Sequence, residues 1–283
     1  MPVMLAVEAM ATRFELVLDG GDAGFLQAAG EEACEIIRDQ EERLSSFRRD
    51  SLVTHLNRHA GAGKMAVDGE FLELCQLCLE VHRQSHGAFD PAVGSLMEAW
   101  GFRNTAPQAE AQKAGPSFGE VELDDTAGTV GLPSGVQLDF GAVGKGWALF
   151  LAGNCLREHG VPNALLQGGR STAVAWGAPP GQAGWTVAIR PPYRGQSVTQ
   201  RTLRNTSLAV SAVHGRQLES ASGDIGHVLD PRLGTPATAT ALAAAECTHP
   251  ALADAWSTAL LVLGKQPLQS PLSWSLLLPS SPP

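Results

Sequence analysis

Glycine governs what this chain can become. Together, 31 glycines and 18 prolines make up about a sixth of the 283 residues, while tyrosine occurs once. Glycine admits left-handed backbone and close approach by a neighbouring chain or ligand. Tight turns must therefore alternate with short elements, as in α/β and α+β enzymes built around loops. The remaining composition is ordinary, 44% hydrophobic and 17% charged, and a chain of this length can bury a core without disulfide or metal staples. Lys and Arg number 20 against 29 Asp and Glu, a formal charge of −9. That balance argues against nucleic acid as a partner, because displacing counterions needs a basic face. No apolar run is long enough for a transmembrane helix. Cys34, Cys75, Cys78, Cys155 and Cys247 are odd in number and scattered, unlike a secreted disulfide framework. The first thirty residues lack a basic stretch followed by an apolar run and a cleavage site, so a cytoplasmic location is expected.

Periodicity divides the chain into short elements. Apolar stretches over residues 3–18 end at the turn Asp19-Gly20-Gly21-Asp22. Helical spacing covers 24–44, and Ser51 is placed to cap a short helix through Asn57. A further helix is predicted from Glu70 to His86, closed by Gly87. The polar stretch Gly101–Glu120 reads as a surface excursion. Val136–Phe140 reads as a strand leading through a glycine turn into a helix that ends near Gly160. Asn163–Leu166, Thr172–Trp176 and Trp185–Ile189 read as a strand meander, followed by strands at Leu208–Val213 and Ala239–Ala245. An apolar helix spans Ala251 to Gly264, and a Pro/Ser/Leu-rich tail over 265–283 holds one last strand at Ser273–Leu278. The pattern predicts a single large α+β unit over 1–264, with a mixed or antiparallel sheet and flanking helices.

Four segments carry residues suited to chemistry. Gly87-Ala88-Phe89-Asp90-Pro91 holds a carboxylate in a rigid turn, as a ligand acceptor or as the cap of a helix near Ala92. Asp139-Phe140-Gly141-Ala142-Val143-Gly144-Lys145-Gly146 places a carboxylate, three glycines and a lysine at a helix N-terminus. Backbone N–H groups and the helix dipole there favour a phosphate, although a plain strand–turn–helix connection has the same outline. It is not a Walker A loop. Gly226-His227-Val228-Leu229-Asp230-Pro231-Arg232-Leu233-Gly234 gathers His, Asp and Arg in one turn. In Ala253-Asp254-Ala255-Trp256-Ser257-Thr258, Asp254 and Thr258 lie one helical turn apart, a hard-oxygen pair suited to Mg²⁺ or a first-turn Asp beside a satisfied threonine. The spacings His55/His59 and His82/His86 read as solvated helix faces, and Cys75/Cys78 as core packing. Gly168-Gly169-Arg170 reads as an anion wrap or a strand bend.

Further segments complete an ordered series: Met10-Ala11-Thr12, Leu44-Ser45-Ser46-Phe47 with Asp50-Ser51 and Asn57, Trp100-Gly101-Phe102, Gly168-Gly169, Trp185, Ser211 and Gly264. Over residues 8–264 the chain resembles the ApbE family, the FAD:protein FMN transferases. The resemblance implies a T-fold-like α+β enzyme that requires Mg²⁺. Such an enzyme takes FAD as substrate, moves the FMN half to a Ser or Thr hydroxyl of an acceptor flavoprotein, and releases AMP. It places the metal on Asp254, Thr258 and the main-chain carbonyl of Ala142. It places flavin contacts on Met10, Phe47, Ala88, Phe89, Asp90, Asp139, Lys145 and Val228. Breaking a pyrophosphate bond builds charge that Mg²⁺ and Lys145 can neutralise, and a ring such as Phe47 can stack on a planar flavin. His227 or a nearby Asp is the candidate acceptor of the hydroxyl proton. The negative overall charge is awkward for a polyanionic ligand, which gives the metal a purpose.

Several positions depart from the family's pattern. Ala11 stands where Met-Gly-Thr is usual, Ala92 where Asp-Pro-Thr is usual, and Arg170 follows Gly-Gly in place of Asp or Asn. Ala212 replaces a glycine after Ser211, and Leu233 replaces a threonine. These changes touch acceptor recognition more than metal or flavin positions. They leave two alternatives beside transfer: an FAD pyrophosphatase that gives FMN and AMP, and a flavin-binding protein without turnover.

Overall fold

A computed structural model describes residues 1–103, 115–193, 197–213, 217–218 and 225–279. Its spine is a seven-stranded sheet in which every neighbouring pair is antiparallel. The strands run Val3–Ala9, Thr12–Asp19, Asn163–Gly168, Thr172–Trp176, Thr206–Ala212, Thr240–Cys247 and Trp274–Pro279, and their order across the sheet follows the chain. Long insertions between strands carry the helices: α1 (Ala23–Leu44), α2 (Leu52–Arg58), α3 (Gly69–Gln84), α4 (Gly94–Ala99), α5 (Gly144–Glu158) and α6 (Pro250–Leu263). None of the described helices is long and apolar enough to cross a membrane.

Side-chain alternation explains how the sheet is covered. In Thr12–Asp19, Phe14, Leu16 and Leu18 point inward and pack with Leu26, Ala33 and Ile37 of α1 and with Ala148, Leu149 and Ala152 of α5. The strand Thr240–Cys247 is buried along its whole length. Ala243 and Ala245 turn their small faces to α6, while Leu242 and Ala244 face the hairpin Trp185–Ile189/Thr199–Leu203 on the other side. A strand covered on both faces reads as a continuous apolar run instead of an alternation.

Most elements match the sequence reading to within two residues, and the exceptions have local causes. Trp185–Ile189 is not part of the main meander; it pairs with Thr199–Leu203 in a separate hairpin laid over the sheet. Val136–Phe140 is extended but joins no sheet: its one bridge is Val93 with Gln137, and Asn57 brackets Leu138 instead, accepting from its N–H at 2.6 Å and donating to its carbonyl at 3.0 Å. Helix α3 stops at Gln84, after which His86 and Gly87 both adopt left-handed backbone with φ of 53° and 77°. Within the polar stretch 101–120, Phe102 and Phe118 are fully buried, and 104–114 lies outside the described residues. The strand of the C-terminal tail, Trp274–Pro279, forms the edge of the main sheet against Thr240–Cys247. His82, expected on a solvated face, is partly buried and bonded, whereas His55 and His59 are exposed.

Helices α5 and α6 meet at their N-termini. A Cβ at Gly146 would collide with the Pro250 carbonyl and come within 2.7 Å of the Ala251 Cα, so only glycine permits this crossing. His249 caps α6: its Nδ1 accepts from the Ala251 N–H at 3.2 Å, and its ring stacks on Phe150 at 4.1 Å. Burial holds the imidazole neutral, with its pKa pushed down to about 4.

Two outcomes are expected. Gly146→Ala should lower unfolding stability by about 1–3 kcal/mol, read from urea midpoints, because backbone on both sides resists the extra methyl. For His249, the unfolded chain takes up a proton near pH 6.5 that the folded chain refuses until about pH 4. Stability is thus intact above the first value and falls, by up to roughly 3 kcal/mol, as pH drops toward the second. His249→Asn keeps a cap acceptor but does not titrate, so stability measured from about pH 7 to pH 4 should decline less in the variant.

Candidate active site

The turn before α5 forms the floor of the site. The Asp139 N–H donates to the Pro91 carbonyl at 2.7 Å, tying this turn to the Gly87–Pro91 loop. The Asp139 carboxylate accepts from the Gly141 N–H at 2.8 Å, from Arg103 Nη2 at 2.7 Å and from Ser46 Oγ at 3.4 Å. Arg103 comes from the polar stretch after α4, and nothing in its local sequence marks it for this role.

Helix α6 supplies the opposite wall. Asp254 lies in the second turn, 3% exposed, so it is not a first-turn dipole partner. Its Oδ2 accepts from the Gly146 N–H at 3.0 Å and lies 3.7 Å from Lys145 Nζ, while its Oδ1 accepts from Thr172 Oγ1 at 3.2 Å. The strand period fixes the hydroxyls beneath it. Thr172 pairs with Ala209, and Ser211 lies two residues further along, so both face the helices. Ser211 Oγ lies 2.7 Å from Ser257 Oγ and 3.1 Å from Thr258 Oγ1. Thr258 Oγ1 also reaches the Asp254 carbonyl at 3.5 Å.

Two further carboxylates hold turns. Asp90 is buried, and burial raises its pKa. It accepts from the Ala92 N–H at 2.7 Å and from the Phe118 N–H at 3.1 Å, with His82 Nδ1 at 3.4 Å. The same His82 nitrogen lies 3.0 Å from the Phe89 carbonyl, and the Phe89 N–H donates to Ser85 Oγ. Asp90 therefore shapes the loop presenting Ala88 and Phe89, and it caps a turn because α4 starts only at Gly94. Asp230 takes Arg232 in two side-chain bonds of 2.9 and 2.7 Å, closing the turn that follows His227 and Val228.

These walls enclose a cleft of about 890 Å³ that runs past the strand ends at 169–171 and Ala212. Phe47, Ala88, Phe89, Asp90, Asp139, Ala142, Lys145, His227, Val228, Asp254 and Thr258 all line it, so 11 of the 12 residues singled out in the sequence converge. Met10 is not among the lining residues: its N–H donates to Glu41 at 2.7 Å, and its sulfur lies close to Gly144. Phe47 stands 59% exposed at the rim. Arg170 and Arg190 also line the cleft, both exposed and without an ion pair among the described residues. Asp139 and Asp254, in contrast, already face cations. The cleft mouth thus offers a polyanion positive charge that the overall charge of −9 conceals.

On the α6 side a buried carboxylate, Asp254, and a hydroxyl one turn later, Thr258, are both oxygen donors, and Ala142 lines the same cleft from the turn before α5. That chemistry fits a hard cation such as Mg²⁺.

The sequence profile of the ApbE family matches residues 10–273. The FAD:protein FMN transferase of Rhodobacter capsulatus is 33% identical over 222 residues, 75% of this chain and 42% of that protein, so the chain spans less than half of its length. The FAD:protein FMN transferase of Treponema pallidum is 32% identical over 269 residues, 86% of this chain and 73% of that protein. The crystal structure of the ApbE protein from Thermotoga maritima superposes with a TM-score of 0.85 at 26% identity, covering 94% of this chain and 88% of that one. The flavinyl transferase ApbE of Pseudomonas stutzeri shares the fold, with a TM-score of 0.82 at 23% identity over 94% of this chain and 86% of that one. Family profile, relatives and fold agree: the chain belongs to the ApbE family.

Proposed function

We propose that the cleft binds FAD and transfers its FMN half to a Ser or Thr hydroxyl of an acceptor flavoprotein, releasing AMP. One observation carries this reading. A buried carboxylate, Asp254, is held at the N-terminus of α5 by the Gly146 N–H, beside Lys145 and one turn from Thr258. The same cleft holds Phe47, Phe89 and Asp139 for the flavin and exposed guanidinium groups for phosphate.

In this reading Asp254, Thr258 and the Ala142 carbonyl hold Mg²⁺, which when bound offsets charge on the diphosphate oxygens. Lys145 places its ammonium beside those oxygens, and the N-terminal dipole of α5 adds to its effect. Phe47 and the Ala88–Phe89 loop orient the flavin ring, with the loop held rigid by Asp90, His82 and Ser85. The acceptor oxygen forms a bond to the FMN-side phosphorus, the bridging P–O bond breaks, and AMP leaves with the bridging oxygen. The hydroxyl proton passes to His227. Positioning and electrostatics supply most of the rate in such a transfer.

The test is incubation with FAD, Mg²⁺ and an acceptor flavoprotein fragment, following AMP release and covalent mass gain together. Both are expected in equal amounts, and chelation should abolish both. AMP without mass gain would assign the water-acceptor reaction, and FAD binding without AMP would assign a flavin-binding protein. Asp254→Ala should lower the transfer rate by at least about a hundredfold, and Lys145→Met by about tenfold or more, with the fold intact by circular dichroism.

A further inference from the structure

A second cluster of ligating groups lies at the other end of α5. Glu32 projects from α1, and Cys155 and His159 lie four residues apart on one face of α5. The carboxylate oxygen, the thiol sulfur and the imidazole nitrogen all lie within 4.8 Å of one another. His159 Nε2 is 2.8 Å from Glu32 Oε2. We propose that Glu32, Cys155 and His159 form a binding site for Zn²⁺ that clamps α1 to α5.

The donor types and the geometry both select this metal. Zinc takes sulfur, nitrogen and oxygen ligands tetrahedrally, with bonds of about 2.0–2.3 Å, which spaces the ligand atoms roughly 3.3–3.7 Å apart. Adjustments of about an ångström therefore close the site. Glu32 and His159 are exposed and already meet each other at 2.8 Å, while Cys155 is buried beneath them. The three protein ligands leave the fourth position to water. The last turn of α5 presents carbonyl oxygens and the negative end of its dipole, which favour a cation. The nearest basic residue of that turn, Arg157, stacks its guanidinium 4.3 Å from the centre of the Trp176 ring.

Without metal, burial and then the Glu32 carboxylate keep the Cys155 thiol protonated, with its pKa pushed up to about 11. Binding exchanges one cation for another: the S–H bond breaks, the proton leaves to solvent past Glu32, and an S–Zn bond forms without redox change. Only a thiophilic divalent ion repays that exchange, so Mg²⁺ does not compete here. Helix α5 spans 15 residues, about 22 Å, so this site acts on the fold and not on the cleft at the opposite end.

Cobalt reports the site, because a thiolate–Co²⁺ bond absorbs in the near ultraviolet and oxygen-only sites do not. The full chain, titrated with Co²⁺ in excess Mg²⁺, is expected to develop this band and saturate at about one equivalent, and Zn²⁺ should abolish it. Saturating Zn²⁺ should raise the thermal midpoint by about 4 °C or more. Cys155→Ser should remove the band, and the exposed changes His159→Gln and Glu32→Gln, which leave the core untouched, should each weaken binding by about tenfold or more. Absence of the band in the wild-type chain, or a band unchanged in Cys155→Ser or His159→Gln, would overturn the proposal.

Discussion

The contact between the Asp254 carboxylate and the Gly146 N–H is the interaction on which the site depends. It joins the first turn of α5 to the second turn of α6 across 108 residues of chain, at a crossing that any side chain at position 146 would obstruct. An orphan N–H at a helix start is satisfied by a buried carboxylate, and Lys145 is brought to the same carboxylate. Everything at this end of the cleft follows. Thr258 is one turn away on α6, and the Ser211 and Thr172 hydroxyls rise to it from the sheet. The alanine-rich strand Thr240–Cys247 lets α6 sit close enough for those hydroxyls to reach. Local precision here rests on small residues in three separate segments.

The aspartates illustrate how one residue type is divided between scaffold and chemistry. Asp90 directs its oxygens to backbone N–H groups and His82, and Asp230 to a backbone N–H and the Arg232 guanidinium, so both hold turns. Asp139 is bonded to Gly141 and Arg103 and fixes the approach to α5. Among the described residues, Asp254 accepts from a backbone N–H and a hydroxyl, with Lys145 farther off at 3.7 Å. It lines the cleft with the Lys145 ammonium beside it. For Asp90 and Asp230, removing a partner would expose the desolvation penalty of a buried carboxylate.

The two ends of α5 also differ in chemistry. The N-terminal end gathers oxygen donors and a lysine, which suit a hard cation and phosphate. The C-terminal end gathers a thiol, an imidazole and a carboxylate, which suit a borderline one. In the two proposals, donor softness would direct a hard cation to one end of the helix and a thiophilic one to the other.

What the sequence determined by itself were properties of short range. Helical spacing placed α1 and α3, glycine turns and apolar runs placed α5 and α6, alternation or apolar runs between glycine turns placed most sheet strands, and the ordered motifs around Asp90, Asp139, His227 and Asp254 marked a common site. These are legible because side-chain direction repeats locally, every 3.6 or 2 residues. Tertiary structure decided the rest. Only packing showed that Val136–Phe140 is held by Asn57 and not by a sheet, that Trp185–Ile189 leaves the meander, and that Met10 is not among the residues lining the cleft. Arg103, Thr172 and the cluster of Glu32, Cys155 and His159 acquire their roles from partners 36, 82 and 127 residues away. No periodicity encodes such pairings; they follow from which helices cross, and glycine and alanine set how closely.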